Sequence, residues 1–338
     1  MFVKNQIYAI DHHHGQANRT VLSGYPTIRG ATMREKEAFY LENMSWIHEC
    51  MCREPRGHSA MLGSILTDPV EEGSAFGVLF LHANGLFDGC GDSTLGTAAA
   101  AVETGLVPAD EPVTRFVMDT VMGPINLEVE VKGGIVVEVR YDNQPAYHIT
   151  TTSIDVAEHG RIELDVSYCG GQWFPQIDAK ALGISVDKSN RANILTFGQL
   201  VTDALRKMPE VADPESGEPI RFGETNANVI SLYSKQDTPN SYRIANTVAP
   251  SFMGRTPGGL PTGALMTLLH QKGEYDPKDK FVNRSPVETD FRGTGRQLTL
   301  PGGKPALATT VGTKSYLMGI HQFVIDPQDP FPNGFIVG

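Results

Sequence analysis

Cys90 stands between two glycines, with Asp92, Ser93 and Thr94 directly behind it, in the stretch DGCGDSTLGTAAAAVETG at residues 88–105. A thiolate is both a nucleophile and a base able to move a proton at carbon. Either Asp92 or Ser93 can cap a helix, the alanines at 98–101 are strong helix formers, and Gly105 suits the position just past a helix end. The spacing therefore predicts Cys90 immediately before a helix N-terminus. There, unpaired N–H groups and the macrodipole favour negative charge and lower a thiol pKa. A small turn cysteine in front of a packed helix is the competing reading, and these residues alone leave it open.

Other groups with chemical potential are weaker. Three histidines, His12, His13 and His14, follow Asp11. Neighbouring side chains in extended backbone point different ways, and no Cys/His pair stands at zinc-ligand spacing, so no metal site is expected. Cys50 and Cys52 lie two apart with no second pair, as packing residues would. Four cysteines in 338 residues suit reduced thiols rather than a disulfide framework.

The elements that must position these groups mix strands and helices, which fits an α/β or α+β class. Strands are predicted at 5–10, 21–23, 61–66, 76–81, 116–119, 125–131, 135–141, 162–168, 228–233 and 242–248, with a Lys132-Gly133-Gly134 hairpin turn. Thr32 followed by Glu35 has capping-box spacing, and Tyr40, Met44, Ile47 and Met51 recur at helical period, predicting one helix over 33–52. Another is predicted over 193–207, followed by a polar loop at 209–218. The formal net charge of −11 and the lack of a basic run argue against a nucleic-acid partner. No apolar stretch reaches a membrane span and the first residues do not read as a leader, so the expected address is cytoplasmic, with no membrane partner.

The chain also repeats itself. Thr256-Pro257-Gly258-Gly259-Leu260-Pro261-Thr262 leads into an apolar run ending at Gly273. At a constant offset of 168, Cys90 meets Gly258, Gly91 meets Gly259, Thr94 meets Thr262 and Gly105 meets Gly273. Each half is thus expected to supply a glycine turn leading into a buried helix, two N-termini suited to cradle a carboxylate.

These residues resemble the proline racemase family, which includes hydroxyproline epimerases and trans-3-hydroxyproline dehydratases. The likeness runs nearly end to end: Asp11, His13 and Gly15; Thr32-Met33 with Glu35; Glu54-Pro55-Arg56-Gly57-His58 with Met61; Gly89-Cys90-Gly91 with Thr94; Asp165 and Tyr168 with Gly170-Gly171; Arg255 to Gly259; and DPQDPFPNGF near the C-terminus. The resemblance implies two pseudo-symmetric lobes, each a curved sheet wrapped round a central helix, as in the diaminopimelate epimerase-like fold. Lobe one would take residues 1–158, with 325–338 packing back on it, and lobe two 159–324. It further implies chemistry without pyridoxal, metal or other cofactor on a small imino acid, in a homodimer. Cys90 would be catalytic. Gly91, Asp92, Ser93, Gly258, Gly259, Leu260, His58 and His14 would line the substrate.

Departures from the family pattern fall on the chemistry. Gly258 stands where the second catalytic cysteine belongs, Gly254 where an aspartate pairs with the substrate amine, and Asp92 where a histidine follows the first cysteine. His14 and Gln16 replace a threonine and a glutamate. A single base suffices if the carbanion expels a β-hydroxyl, so dehydration of a 3-hydroxyproline is the favoured expectation, with Asp92 as substitute amine partner. Racemisation or epimerisation with a non-cysteine second acid/base is the alternative, and a non-catalytic amino-acid-binding homologue the third.

Overall fold

The computed structural model describes residues 5–224, 227–250 and 252–337. Contacts divide the chain into two units, Met1–Tyr141 with Thr313–Gly338, and Asp142–Gly312. Both borders move from the expected 158/159 and 324/325. Tyr147–Val156 is a strand paired along its length with Gly160–Cys169, which draws it into lobe two. Tyr316–Ile325 is a strand paired with Asn5–His13, which draws it into lobe one. Residues 1–4 and 338 of the expected lobe one, and 225, 226 and 251 of lobe two, lie outside the described residues.

Lobe one begins with β1 (Asn5–His13) and β2 (Ala17–Ser23), then α1 (Met33–Asn43) and α2 (Trp46–Cys52). There follow β3 (Leu62–Thr67), β4 (Phe76–His82), β5 (Gly85–Phe87), α3 (Gly91–Glu103), β6 (Val113–Thr120), β7 (Gly123–Lys132) and β8 (Ile135–Asp142). Half of the capping box forms: Thr32 Oγ1 accepts from the Glu35 N–H, while the Glu35 carboxylate accepts from the N–H of Ala31, one residue before the cap. The expected single helix over 33–52 breaks, however, because Met44 leaves helical geometry at φ −137°. In β7, Leu127, Val129 and Val131 are buried between less buried neighbours, the period-2 pattern of a half-covered strand. Gly133 and Gly134, both at positive φ, close the two-residue hairpin to β8.

Lobe two runs β9 (Tyr147–Val156), β10 (Gly160–Cys169), β11 (Gln172–Asp178), α4 (Arg191–Leu205), the short pair β12 (Val211–Ala212) and β13 (Pro219–Ile220), β14 (Ile230–Lys235), β15 (Ser241–Val248), β16 (Phe252–Met253), α5 (Gly259–Gln271), β17 (Phe281–Arg284), β18 (Asp290–Thr299) and β19 (Pro305–Thr313). The last strand, β20 (Tyr316–Ile325), returns to β1.

The two lobes repeat one pairing scheme. In lobe one, β20 and β1, β1 and β2, β3 and β4, and β6 and β7 pair antiparallel, while β2 and β3, and β4 and β6, pair parallel. Lobe two has the same sequence of senses in β9–β10, β10–β11, β14–β15 and β17–β18, with parallel steps at β11–β14 and β15–β17. Inside each sheet lies one apolar helix. α3 packs on β1, β2, β3 and β7, and α5 on β9, β10, β11 and β18. Alanines 98–101 are buried, and their small side chains let the strands approach the α3 backbone closely. The remaining helices pack on the sheets: Tyr40, Ile47 and Met51 join the core of Ile65, Leu79 and Leu81 in lobe one, and Ile194, Phe197 and Val201 that of Ile177, Ile230 and Leu232 in lobe two. No helix among the described residues is long and apolar enough to cross a membrane.

Candidate active site

The repeat survives at atomic detail. α3 and α5 have thirteen residues each, and their first residues, Gly91 and Gly259, stand at the constant offset of 168. Thr94 Oγ1 donates to the carbonyl of Cys90 at 2.9 Å, and Thr262 Oγ1 to that of Gly258 at 2.6 Å. Gly105 and Gly273 end the helices at φ +74° and +71°. One expectation is corrected here: neither Asp92 nor Ser93 caps α3. Cys90 is itself the cap residue, extended at φ −147°, ψ 103°, with no side-chain capping bond.

Of the four cysteines, Cys50, Cys52 and Cys169 are buried and Cys90 is partly open. Its thiol is nevertheless pushed up to about 12, first by burial and then by the Asp92 carboxylate. The backbone N–H groups of Asp92 and Ser93 and the Ser93 hydroxyl pull the other way, toward thiolate, and do not prevail. Ser93 Oγ is buried without a nitrogen or oxygen partner, so its influence falls on the sulfur. The helix N-terminus was expected to lower this thiol. Desolvation and a neighbouring like charge outweigh the macrodipole.

The histidine run parts to separate partners. His12 Nε2 lies 2.8 Å from Glu103 Oε2, the His13 ring stacks on Tyr316, and His14 Nε2 lies 2.9 Å from Asp92 Oδ1. Asp92 and Glu103 are eleven residues apart, three turns of α3, so both carboxylates lie on one helix face. His14 is buried, with Ser315 Oγ at 3.5 Å from its Nδ1. His58 occupies an exposed turn, where its Nδ1 accepts from the Ala60 N–H. Among the described residues, no group of three or more His, Cys, Asp or Glu side chains converges as a metal set.

In lobe two the matching turn is built from backbone. Gly258 caps α5 at φ +70°, where a Cβ would lie 2.9 Å from Pro261 Cγ. Gly259, the first helical residue, is buried, and its carbonyl accepts from Asn143 Nδ2 at 3.2 Å. Leu260 stands where lobe one has its acid and packs over Gly170, where a Cβ would lie 2.6 Å from Leu260 Cδ2. Asn246, not anticipated from the sequence, fixes the turn: its Nδ2 donates to the Pro257 carbonyl at 2.7 Å and its Oδ1 accepts from Ser231 at 2.8 Å. A lone amide in the apolar strand RIANTV was the available signal.

The sequence model of the proline racemase family matches residues 9–336. The chain is 32% identical over 340 residues to the proline racemase of Clostridioides difficile, with all of both chains covered. It is 31% identical over 339 residues to the 4-hydroxyproline 2-epimerase of Streptosporangium roseum, again over all of both. In structure it resembles a hydroxyproline epimerase from Agrobacterium vitis solved with bound trans-4-hydroxy-L-proline, with a TM-score of 0.87 at 22% identity, covering 100% of this chain and 96% of that one. That likeness establishes the shared fold of duplicated α/β lobes.

Proposed function

The chain is an enzyme of the proline racemase family, and from that premise we propose that it inverts Cα of proline or a hydroxyproline without a cofactor, Cys90 carrying the proton on one face. The non-catalytic reading is thereby set aside. The observation that carries the proposal is the junction of Cys90 with α3. The partly open thiol and the N–H groups of a helix N-terminus meet at one point, so a carboxylate can be held while charge develops at the adjacent carbon. Relatives named for proline racemisation and 4-hydroxyproline 2-epimerisation favour inversion over loss of water. Water or a non-cysteine group would then serve the opposite face. At the matching turn of lobe two, Gly258 has no side chain and its N–H donates to Thr256 Oγ1 at 3.2 Å.

Gly258 also favours a second reading. With no side chain at the position matching Cys90, a single-base path through dehydration of a 3-hydroxyproline needs nothing further from lobe two. L-Proline, trans-4-hydroxy-L-proline and trans-3-hydroxy-L-proline incubated in heavy water and followed by NMR separate the two. Deuterium at Cα with inversion is the expected outcome. A cyclic imine formed only from the 3-hydroxy substrate would transfer the proposal to dehydration, and no exchange with any of the three would overturn both. Cys90→Ser should abolish exchange in either case.

A further inference from the structure

We propose that His14 is a positioning residue acting through Asp92: it holds the Asp92 carboxylate beside Cys90, so that arrival of a cationic secondary amine there releases the thiol proton. The inference rests on the imino-acid reading for the identity of the ligand. Its physical basis is independent of that reading.

Asp92 lies two residues beyond Cys90 in the first turn of the same helix. Its Oδ1 is 2.9 Å from His14 Nε2, and the two side chains are 15% and 1% exposed. The ring is buried, with Ser315 Oγ 3.5 Å from its Nδ1, so its Nε2 constrains where the carboxylate points. A negative charge fixed next to a partly desolvated thiol opposes ionisation of that thiol, and a cation placed against the carboxylate removes the opposition. The high resting pKa of Cys90 accords with this arrangement.

Charged groups on the elements packed against α3 are engaged elsewhere. On β1, Asp11 binds Arg19 of β2 and His12 binds Glu103. Glu128 and Glu130 on β7 pair with Arg115 and Arg140, Lys132 is exposed, and β3 carries no ionisable side chain. His13 on β1 stacks on Tyr316, and among the described groups on these elements Asp92, held by His14, is the charge that bears on the thiol. One proton is accounted for at each stage: the thiol gives it to solvent base as the amine binds, and the thiolate takes one from Cα.

Ultraviolet thiolate absorbance of wild type, with Cys90→Ser subtracted, followed against pH with and without trans-4-hydroxy-L-proline, tests the proposal. The free enzyme should titrate well above neutrality, and the imino acid should lower the midpoint by about one pH unit or more. Asp92→Asn should lower the free midpoint and erase the response to ligand. His14→Gln, whose amide can still donate to Asp92, should retain the response, whereas His14→Ala should weaken it, with circular dichroism confirming that each variant folds. An unchanged free midpoint in Asp92→Asn would overturn the proposal, as would a ligand response as large as wild type. Should no imino acid exchange its Cα proton, the isomerase reading falls, while the free-enzyme comparison still decides the coupling.

Discussion

A cysteine cannot be returned to position 258 without cost. At φ +70° an L side chain is strained, and its Cβ would press on the Pro261 ring. Gly258→Cys and Gly258→Ala should each lose about 1–2 kcal/mol in urea unfolding, and the new thiol should not raise the inversion rate. Pro261 stands where lobe one has Ser93, so pairing Gly258→Cys with Pro261→Ser should recover part of the stability. At this scale the sequence disclosed which residue to watch and not its state. The Gly-Cys-Gly turn and its repeat single out Cys90, yet its protonation depends on burial and on where Asp92 points. The Asp92 partner is 78 positions away in a histidine run that local rules treat only as a metal candidate. No spacing rule brings His14 to α3; the β1–β2 turn does.

Gly96 shows how tightly α3 is held by its sheet. A Cβ there would lie 2.4 Å from Asn18 Nδ2 and 3.1 Å from Asn18 Cβ, on a buried strand residue with nowhere to swing. Gly96→Ala should cost about 1–3 kcal/mol by overpacking. Gly105→Ala, whose Cβ would meet nothing, should cost about 1 kcal/mol from its positive φ alone; chemical denaturation of both variants checks the ranking. Helices with clear caps and period were legible, as were strands alternating apolar and polar residues. Several strands were not, β9, β18 and β20 among them. β9 reads YHITTTSIDV and β18 DFRGTGRQLT, polar on exposed stretches and interrupted in β18 by glycine. β20 leaves Tyr316, Met318 and Ile320 exposed, so its apolar residues do not mark a buried face. The break between α1 and α2 escaped for the opposite reason: the apolar period runs unbroken through Met44 although the backbone does not.

For the whole molecule, acid should act first through lobe one. His48 is buried there and held at about 4, chiefly by desolvation, and the half-buried His82 is lowered to about 4 for the same reason. A histidine depressed from 6.5 to about 4 in the folded state binds its proton more readily unfolded. Stability is then full above pH 6.5 and falls as pH drops toward 4, by up to about 3 kcal/mol for His48 and less for the more open His82. Urea midpoints between pH 7.5 and 4.5 should follow that fall, and His48→Gln, neutral throughout, should flatten it. The duplicated architecture itself was legible, because two glycine turns at one offset expose a repeat even where the strands between them are obscure. Its borders were not, since they depend on which strand β20 chooses.

That choice orders events during synthesis. Lobe two is a single continuous stretch, Asp142–Gly312, and has every strand it needs once that stretch has left the ribosome. Lobe one is begun first, yet β1 waits for β20, translated after all of lobe two, to cover its open edge. A nascent chain that has emerged only as far as residue 312 would therefore carry a finished second half and an unsealed first half, with β1 offered to any passing strand.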